Sequence, residues 1–339
     1  MQVIDFHERS YLSQVRWLRK IADQAAKELS IKPLDLKFIG HGENATFKVC
    51  AKNKNYLLRL HRNDYHSPQA LKEELKWLSQ LTRKNDIQVQ KPIPFANGKY
   101  LKKFAHNGYS RYCDLLKWQE GKMRYNNVTQ KDFGELGRLL SYLHQNSLKK
   151  TNRKYWHANG LLGKDATFGS LSKLKDFLKK DFDTVENCRK MTLSKIQKYE
   201  KKHSDRTALI HADLHFGNII WDKGRAVPID FDDCGEGSFE YDFAVVFFAS
   251  SAVFKKKTKK QRNSYANELF SEYSKTHQLS QESIDIIDYY RLARHLSMLA
   301  WLYDRRSNDR LLAHLKKTLK WRMAIYKKAL KHGPESIFS

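Results

Sequence analysis

The 339-residue chain has few cysteines, a deficit of acidic residues and no long hydrophobic run. Its cysteines lie far apart and form no C-x-x-C pair: Cys50, Cys113, Cys188 and Cys234. This spacing favours free thiols over a disulfide framework or a zinc site. Because no apolar run approaches the length that spans a bilayer, we expect no transmembrane segment.

The amino-terminal segment, residues 1–9, lacks a basic region followed by an apolar stretch. We therefore expect no secretory signal. Free thiols persist in a reducing compartment, so together these features predict a cytoplasmic protein. A hydrophobic content of 41% is enough for a buried core, which argues against a disordered chain.

The scarcity of acidic residues leaves a formal net charge of +26. Lysine and arginine are densest over residues 255–260 and 305–331. A field of this sign attracts nucleotides, nucleic acid or acidic lipid surfaces. However, the basic residues form no stripe interleaved with aromatic residues, as single-strand binders use. We favour solvated helix faces, with nucleic-acid binding as the alternative.

Hydrophobic periodicity changes along the chain near residues 117–121. Before this point we predict strands at 36–39, 46–50, 56–61, 87–89, 100–104 and 111–118, with helices at 11–29 and 67–81. After it we predict helices at 131–148, 241–254, 261–277, 283–303 and 308–331. We also predict a long basic helical stretch at 171–201, as either one helix or two. The pattern indicates an α+β protein with a β-rich amino-terminal part, residues 1–117, and a helical carboxy-terminal part, residues 118–339.

Polar residues cluster on two short loops that flank a predicted hairpin. Asp213 and Asn218 precede the strand at 219–221, and Asp230 follows the partner strand at 226–229, with Gly224 in the turn. The hairpin brings Asp230 back beside Asn218. An amide and a carboxylate suit Mg²⁺, which prefers hard oxygen ligands and takes few from protein. Asp213 is then free to orient a nucleophile, as phosphoryl transfer requires.

A second interpretation of this segment is a zinc site. His211, Asp213 and His215 alternate along the chain and would project from one strand face toward a metal. We favour it less, because no further cluster of histidine or cysteine appears elsewhere to close the coordination sphere.

The chain resembles the aminoglycoside phosphotransferase-like, or phosphotransferase-enzyme, family, which has the fold of eukaryotic protein kinases. The match runs from about residue 38 to residue 248, and its specific element is the H-x-D-x-H-x-x-N loop followed by I-D-F-D-D. Residues 56–62, 66–69 and 74–78 look like the bacterial homoserine-kinase-like and stress-response-kinase-like subgroup. The resemblance implies a bilobal fold, with an antiparallel sheet in the N-lobe and a mainly helical C-lobe.

Carried onto matching positions, the resemblance implies that Asp213 is the catalytic aspartate that accepts the proton of the acceptor hydroxyl. Asn218 and Asp230 match the pair that holds Mg²⁺, with Asp230 at the first position of the kinase D-F-G segment. Asp232 stands where that segment has glycine.

Supporting roles follow for the neighbouring residues. His211 resembles the histidine that opens the kinase catalytic loop, which we interpret as a packing and hydrogen-bonding residue. Asp242 resembles a structural aspartate that braces this loop. Asp232 and Asp233 either contact metal or substrate or cap a turn. His215 is a supporting residue to which no specific role is assigned.

In the N-lobe, the glycine turn at 40–45 looks like the nucleotide-positioning loop. Gly40, Gly42 and Asn44 would let backbone amides approach phosphate closely, and a plain hairpin turn is the alternative. Lys117 and Gln119 fall where the family's hinge passes between lobes. There the Lys117 carbonyl and the Gln119 amide would bond to adenine.

The third strand departs from the protein-kinase pattern, since it carries Arg59 in place of lysine. Arginine keeps the charge and can pair with two oxygens. Glu74 on the following helix is the expected carboxylate partner, with Glu73 as the alternative. On this basis, loss of Arg59 is expected to weaken nucleotide binding more than folding.

The expected function is ATP- and Mg²⁺-dependent transfer of the γ-phosphoryl group to a hydroxyl, on a small molecule rather than a protein. The alternatives are a Ser/Thr protein kinase of the stress-response type and a non-catalytic basic pseudokinase that binds nucleic acid. Acidic residues near the loops would suit a cationic acceptor: Asp232, Asp233, Glu236 and Glu240. The overall positive field instead favours a neutral or anionic one.

Overall fold

The computed structural model describes residues 6–42, 44–63, 65–83, 87–125, 127–149 and 151–338. The chain divides into two compact units, Met1–Gly121 and Lys122–Ser339. This division falls at the end of the 117–121 interval in which the sequence places the domain boundary. Residues 1–5 of the amino-terminal segment, and Glu43 of the glycine turn, lie outside the described residues.

The described residues of the first unit form an antiparallel sheet, two α-helices and a short 3-10 helix at Phe6–Glu8. Its helices are α1 (Tyr11–Lys27) and α2 (Pro68–Leu81). Its strands are β1 (Asp35–His41), β2 (Ala45–Cys50), β3 (Asn55–Leu60), β4 (Pro92–Ile93), β5 (Lys102–His106) and β6 (Tyr109–Lys117).

Strand order in the first unit is β1-β2-β3-β6-β4, and β5 also pairs with β6. The strict alternation of β2 buries Ala45, Phe47 and Val49, as a strand with one covered face should. Helix α1 buries four apolar residues at helical spacing, and these join the same core: Leu18, Ile21, Ala22 and Ala25.

The predicted strand at residues 87–89 is wrong. The segment that pairs with Leu115 and Leu116 of β6 is β4, formed by Pro92 and Ile93. Residues 87–90 have no strand structure, although Val89 and Gln90 are buried. A short apolar run shows only that a segment is buried, since periodicity cannot be measured over three residues.

The second unit is mainly helical. Its helices are α3 (Gln130–Gln145), α4 (Ala158–Leu162), α5 (Lys175–Leu178), α6 (Phe182–Lys202), α7 (Phe239–Ala249), α8 (Ser251–Phe254), α9 (Lys259–Ser274), α10 (Gln281–Asp304) and α11 (Asp309–His332). Its strands are β7 (Lys122–Met123), β8 (Thr207–Ile210), β9 (Ile219–Asp222), β10 (Arg225–Pro228) and β11 (Gly235–Ser238).

The hairpin of β9 and β10 forms as the sequence predicts. Its two-residue loop is Lys223-Gly224, and both residues have positive φ, at 49° and 82°. Such a loop matches the right-handed twist of the flanking strands, and glycine adopts it without strain. The adjoining strands β7, β8 and β11 were not predicted; β11 pairs with β8, and β7 pairs with β9.

All four cysteines are free thiols, and three of them are buried. Across the described part of the chain, no helix combines the length and the apolar character needed to cross a membrane.

Helices α3 and α9 pack closely at Gly137. A Cβ atom placed there would lie 2.1 Å from the backbone oxygen of Leu269 on α9. Gly134, one turn earlier on α3, is less constrained. A Cβ atom there would lie 3.1 Å from the flexible end of the Glu268 side chain.

We predict that Gly137→Ala destabilises the protein by about 1–3 kcal/mol, because α3 and α9 must move apart. Gly134→Ala is the matched control, since it gains up to about 1 kcal/mol of helix propensity while the Glu268 side chain moves aside. Urea unfolding of both variants tests the difference. Equal stability of the two variants would contradict the close approach at Gly137.

Glu200 on α6 joins three helices of the second unit. Its carboxylate accepts hydrogen bonds from the Ala158 amide at the start of α4 (2.9 Å) and from the Tyr290 hydroxyl on α10 (2.8 Å). Burial raises the pKa of Glu200 to about 7, although both hydrogen bonds favour the ionised form and work in the opposite direction.

Because the pKa of Glu200 is higher in the folded state, its neutral form favours folding at low pH, and this advantage is lost as pH rises through 7. The wild type should lose about 3 kcal/mol relative to Glu200→Gln between pH 4.5 and 8. Denaturant unfolding across this range measures the difference. Glu186→Gln on the same helix is the control. Arg189 lowers the pKa of Glu186, so this substitution should leave the slope unchanged.

Candidate active site

The loop between β8 and β9 carries Asp213 and Asn218. The Asn218 side-chain amide nitrogen donates to the Asp213 carbonyl (3.0 Å) and to Asp213 Oδ2 (3.1 Å). These two bonds fix the orientation of the Asn218 amide and turn its oxygen away from Asp213. The loop therefore presents a carboxylate and an amide oxygen in a defined arrangement.

Asp242, in the first turn of α7, is fully buried and holds this loop by its backbone. Its Oδ1 accepts from the Ala212 amide (2.7 Å), and its Oδ2 accepts from the His211 amide (3.1 Å). His144 on α3 lies 3.2 Å from the same Oδ2, and its other ring nitrogen is 2.9 Å from the Tyr273 hydroxyl. The structure thus gives Asp242 a bracing position and adds His144, which the sequence did not indicate.

His211 connects the loop to the segment after β10. Its Nε2 donates to the Ile229 carbonyl (3.1 Å), and its Nδ1 accepts from the Asp213 amide (3.4 Å). The ring packs against Phe231, and burial lowers the pKa of His211. His211 is therefore a neutral residue whose two nitrogens are used inside the fold.

This arrangement overturns the zinc interpretation. Over the described ranges, there is no group of three or more His, Cys, Asp or Glu side chains that could hold a metal ion. The ring nitrogens of His211 point to backbone atoms, and His215 Nδ1 accepts from the Gly217 amide (2.9 Å). The remaining nitrogen of His215 lies 3.5 Å from Asp213 Oδ2.

The β9–β10 hairpin brings Asp230 alongside Asn218. The Ile229 amide donates to the Asn218 carbonyl (2.9 Å), so the next residue, Asp230, lies adjacent to Asn218 in the backbone. Asp230 itself has φ 60° and ψ 68°, a left-handed conformation that aspartate tolerates better than most residues. Its side chain is exposed, so this carboxylate lies at the surface of the second unit.

The turn at residues 231–233 is braced by residues that the sequence did not single out. The buried Arg153 donates to the carbonyls of Asp232 and Cys234, and Trp156 Nε1 donates to the Asp233 carbonyl (2.7 Å). At Gly235 a Cβ atom would lie 2.0 Å from the Lys154 carbonyl, so only glycine fits. These contacts hold the backbone of the turn that carries Asp232 and Asp233.

Asp213 also contacts Arg294 on α10, a residue that the sequence pattern did not indicate. Its Nη2 lies 2.5 Å from Asp213 Oδ1, and only 5% of the residue is exposed. The two residues are 81 positions apart, and nothing in the local pattern around Arg294 marks it as different from other basic residues on the helices.

In the first unit, the glycine turn is open. A Cβ atom on Gly40 or Gly42 would meet no described heavy atom within 4 Å, and neither glycine has a positive φ. Neither packing nor backbone conformation therefore requires glycine at these two positions. Asn44 has a structural contact, since its side-chain oxygen accepts from the Arg62 amide (3.0 Å).

Arg59 lies within a buried charge network of the first unit. Its Nη1 donates to Glu74 Oε1 (2.7 Å), and its Nε and Nη2 donate to the two oxygens of Asp114 (2.9 and 2.7 Å). His61 Nε2 lies 2.7 Å from Asp114 Oδ2. All four residues are at most 3% exposed.

Asp114 was not singled out from the sequence, although it stands opposite Arg59 in the β3–β6 register. Burial alone would raise the pKa of Asp114, but Arg59 and then His61 lower it to about 2. A charged residue inside the apolar run of β6 is the sequence signal that could have identified this buried pair, because unpaired charges are rarely buried.

Lys117 and Gln119 lie at the end of the first unit. The Lys117 amide donates to the Lys91 carbonyl (2.8 Å), and the Gln119 side chain donates to Gln88 Oε1 (3.3 Å) and to the Glu120 carbonyl (3.1 Å). Lys117 is the last residue of β6 and is exposed, and Gln119 follows it and is half-buried.

Known proteins resemble this chain in sequence and in fold. The sequence profile of the phosphotransferase enzyme family matches residues 35–279. The chain is 26% identical over 251 residues to an amicoumacin kinase of Bacillus subtilis (strain 168), covering 72% of this chain and 68% of the relative. It is 23% identical over 263 residues to stress response kinase A of Salmonella typhi, covering 74% and 72%.

Solved structures are similar over nearly the whole chain. A microcompartment-associated aminopropanol kinase has a TM-score of 0.78 at 24% identity, covering 94% of this chain and 99% of that one. An amicoumacin kinase in complex with AMP-PNP and Ca²⁺ has a TM-score of 0.78 at 19% identity, covering 98% of each. These likenesses confirm the predicted α+β, kinase-like fold.

The Arg59 network changes one expectation from the sequence. We predict that Arg59→Met lowers the free energy of unfolding by about 3–5 kcal/mol, because it leaves Glu74 and Asp114 buried without their cation. We therefore expect this substitution to weaken folding before it weakens nucleotide binding. Urea unfolding of the two proteins measures the change.

The matched control is Lys37→Met in the same unit. Lys37 pairs with Asp35 at 3.7 Å, and both side chains are more than half exposed. Removing such a surface pair should change stability by less than about 1 kcal/mol. If both variants are equally stable, the buried network does not hold the first unit together.

Proposed function

Because the chain belongs to the phosphotransferase enzyme family, we propose that it transfers the γ-phosphoryl group of ATP to a hydroxyl of a small molecule. The proposal rests on one observation about Asn218. Its side chain donates to Asp213, and its backbone carbonyl accepts from Ile229, the residue before Asp230. One segment thereby presents a proton acceptor next to an amide–carboxylate pair. Phosphoryl transfer needs these groups in fixed positions.

Asp213 is the proposed base. The acceptor oxygen attacks the γ-phosphorus while the bond to the bridging oxygen of the ADP leaving group breaks, and the hydroxyl proton passes to the Asp213 carboxylate. The side chain is partly exposed, at 19%. A carboxylate offers about four acceptor positions, so a hydroxyl can approach Asp213 while its present contacts remain.

Asn218 and Asp230 are the proposed holders of a divalent cation. The donor set fits Mg²⁺, since one amide oxygen and one carboxylate leave the remaining positions for phosphate oxygens and water. The orientation of Asn218 supports this role, because its nitrogen is bonded to Asp213 and its oxygen is turned away. When bound, such a cation neutralises charge on the phosphate oxygens.

For the nucleotide, we propose that the first unit supplies Gly40, Gly42 and Asn44 around the phosphates, and Lys117 and Gln119 at the adenine. The open surroundings of both glycines support this role, since a side chain there would obstruct a ligand and not the protein. The solved amicoumacin kinase, which is in complex with AMP-PNP and Ca²⁺, supports a nucleotide as the phosphate donor and a divalent cation as its cofactor.

Arg59 and Glu74 are proposed to act on the nucleotide from within their buried network. Arg59 is only 3% exposed. Its proposed role is therefore to hold β3 and the neighbouring residues in place as well as to contact phosphate. Asp114 belongs with them, because it holds two of the donors of Arg59.

The acceptor we propose is a small hydroxylated molecule that is neutral or carries an anionic group. Of the local acids that favoured a cationic acceptor, Glu240 is fully buried and bonded to Arg206 (2.5 Å) and to Ser238. It is therefore removed from the acceptor surface. The net charge of +26 further disfavours polycations. The second candidate is a Ser/Thr protein acceptor, which the likeness to stress response kinase A supports.

We predict that Asp213→Asn lowers turnover by ~10²–10⁴-fold, the typical contribution of a general base. Stabilisation of the protein by ATP and Mg²⁺ in thermal unfolding should persist, because Asn218 and Asp230 remain. ADP release with a panel of hydroxylated metabolites, aminoglycosides and Ser/Thr peptides measures turnover.

Asp222→Asn, at the half-buried last position of β9, is the control and should retain activity. Near-normal turnover in Asp213→Asn would remove this residue from the role of base. ADP release with peptides alone would replace the small-molecule acceptor by the protein-kinase alternative. Salt-sensitive binding of nucleic acid without any response to nucleotide would favour the pseudokinase scaffold.

A further inference from the structure

Arg294 is held at the catalytic loop by three different parts of the second unit. Its Nη2 bonds to Asp213 Oδ1 at 2.5 Å, and its Nη1 donates to the Tyr241 hydroxyl at 3.1 Å. Its guanidinium carbon also lies 5.2 Å from the centre of the Phe168 ring. Side chains from β8–β9, α7 and the segment before α5 thus converge on one guanidinium carried by α10.

This guanidinium is a buried cation. Burial acts to lower the pKa of Arg294, but Tyr241, Asp213 and Asp233 more than offset this effect and raise it. The side chain is therefore charged when it faces Asp213. Replacing a buried ion pair by apolar residues is often neutral or stabilising, so helix packing alone does not account for an arginine at this position.

The contacts divide the two oxygens of Asp213 between two partners. Oδ1 accepts from Arg294, whereas Oδ2 accepts from Asn218 (3.1 Å) and lies 3.5 Å from His215 Nε2. Arg294 approaches from α10, and Asn218 approaches from within the loop. The carboxylate is held from both sides, and its rotation about χ2 is thereby restricted.

We propose that Arg294 is a positioning residue for phosphoryl transfer, which fixes Oδ1 of Asp213 so that Oδ2 faces the acceptor hydroxyl. The inference rests on the proposed function, since it assigns Arg294 a task only if Asp213 is the base. A misplacement of about 1 Å in a reacting group can cost 10²-fold in rate. Arg294 would therefore act on kcat and not on the binding of either substrate.

The test is Arg294→Ala, measured with the best acceptor from the ADP-release panel. We expect kcat to fall by about 10²-fold, with KM for ATP and for the acceptor changed by no more than about twofold, as for an interaction made only in the transition state. Added guanidinium ion at millimolar concentration should restore part of the lost kcat, because it can occupy the space beside Asp213. A purely structural role would not produce this rescue.

Arg206→Ala is the matched control. Arg206 also bonds to a fully buried carboxylate, Glu240, but it has no described contact with the catalytic loop. This variant should lose thermal stability as Arg294→Ala does, while its kcat changes little and does not respond to guanidinium. Equal kcat losses in the two variants without rescue would overturn the proposal. A raised acceptor KM with unchanged kcat in Arg294→Ala would also overturn it, and would make Arg294 an acceptor-binding residue.

A second measurement needs no acceptor. Thermal unfolding of Arg294→Ala, Asp213→Asn and the double variant reports whether the two side chains interact in solution. We expect the double variant to lose less in Tm than the sum of the single losses. Additive losses would overturn the proposal. Failure of the proposed function is distinguishable, because it would leave Asp213→Asn as active as the wild type while this coupling persists.

Discussion

The buried carboxylate of Asp242 is the contact on which the candidate active site depends. It accepts hydrogen bonds from two successive backbone amides, those of His211 and Ala212. Ala212 has φ 64°, which an alanine adopts only when the surrounding structure holds it there. Because Asp213 follows directly, the same two bonds that hold this strained turn also set the direction in which the proposed base projects.

Both units contain a buried arginine paired with carboxylates. Arg59 is shared between Glu74 and Asp114 in the first unit, and Arg294 contacts Asp213 in the second. Each guanidinium offers several donors in a fixed plane, so it can hold partners from separate elements at once. In both units the charged groups proposed to act on substrates are therefore ordered by the protein itself before any substrate binds.

The parts of the fold that could be predicted from the sequence are those fixed by local chemistry. The Lys223-Gly224 turn has the residues that a two-residue hairpin requires, and the hairpin alone brings Asn218 and Asp230 together. Most of the long helices also formed within a few residues of their predicted bounds, since their apolar stripes repeat over several turns. The stretch predicted at 171–201 is instead divided into short helical turns and α6, which begins at Phe182.

The contacts that were missed join residues far apart in sequence. Arg294 reaches Asp213 across 81 positions, and Arg153 reaches the turn at residues 231–233 across about 80. Nothing in the neighbourhood of either arginine distinguishes it from the other basic residues of this lysine- and arginine-rich chain. Only tertiary packing decides which of them is buried, so periodicity and composition contain no signal for these pairs.

Burial also shows where the excess positive charge lies. In the described part of the chain no lysine is buried, whereas the buried charged residues include arginines paired with carboxylates or backbone carbonyls. The net charge of +26 is therefore carried by the surface and takes no part in the internal networks. Such a field acts over distances near the Debye length, about 10 Å at moderate salt, and so raises the encounter rate with anions such as ATP. It does not itself set the geometry at Asp213, which the short-range contacts of Asn218, Asp242 and Arg294 determine.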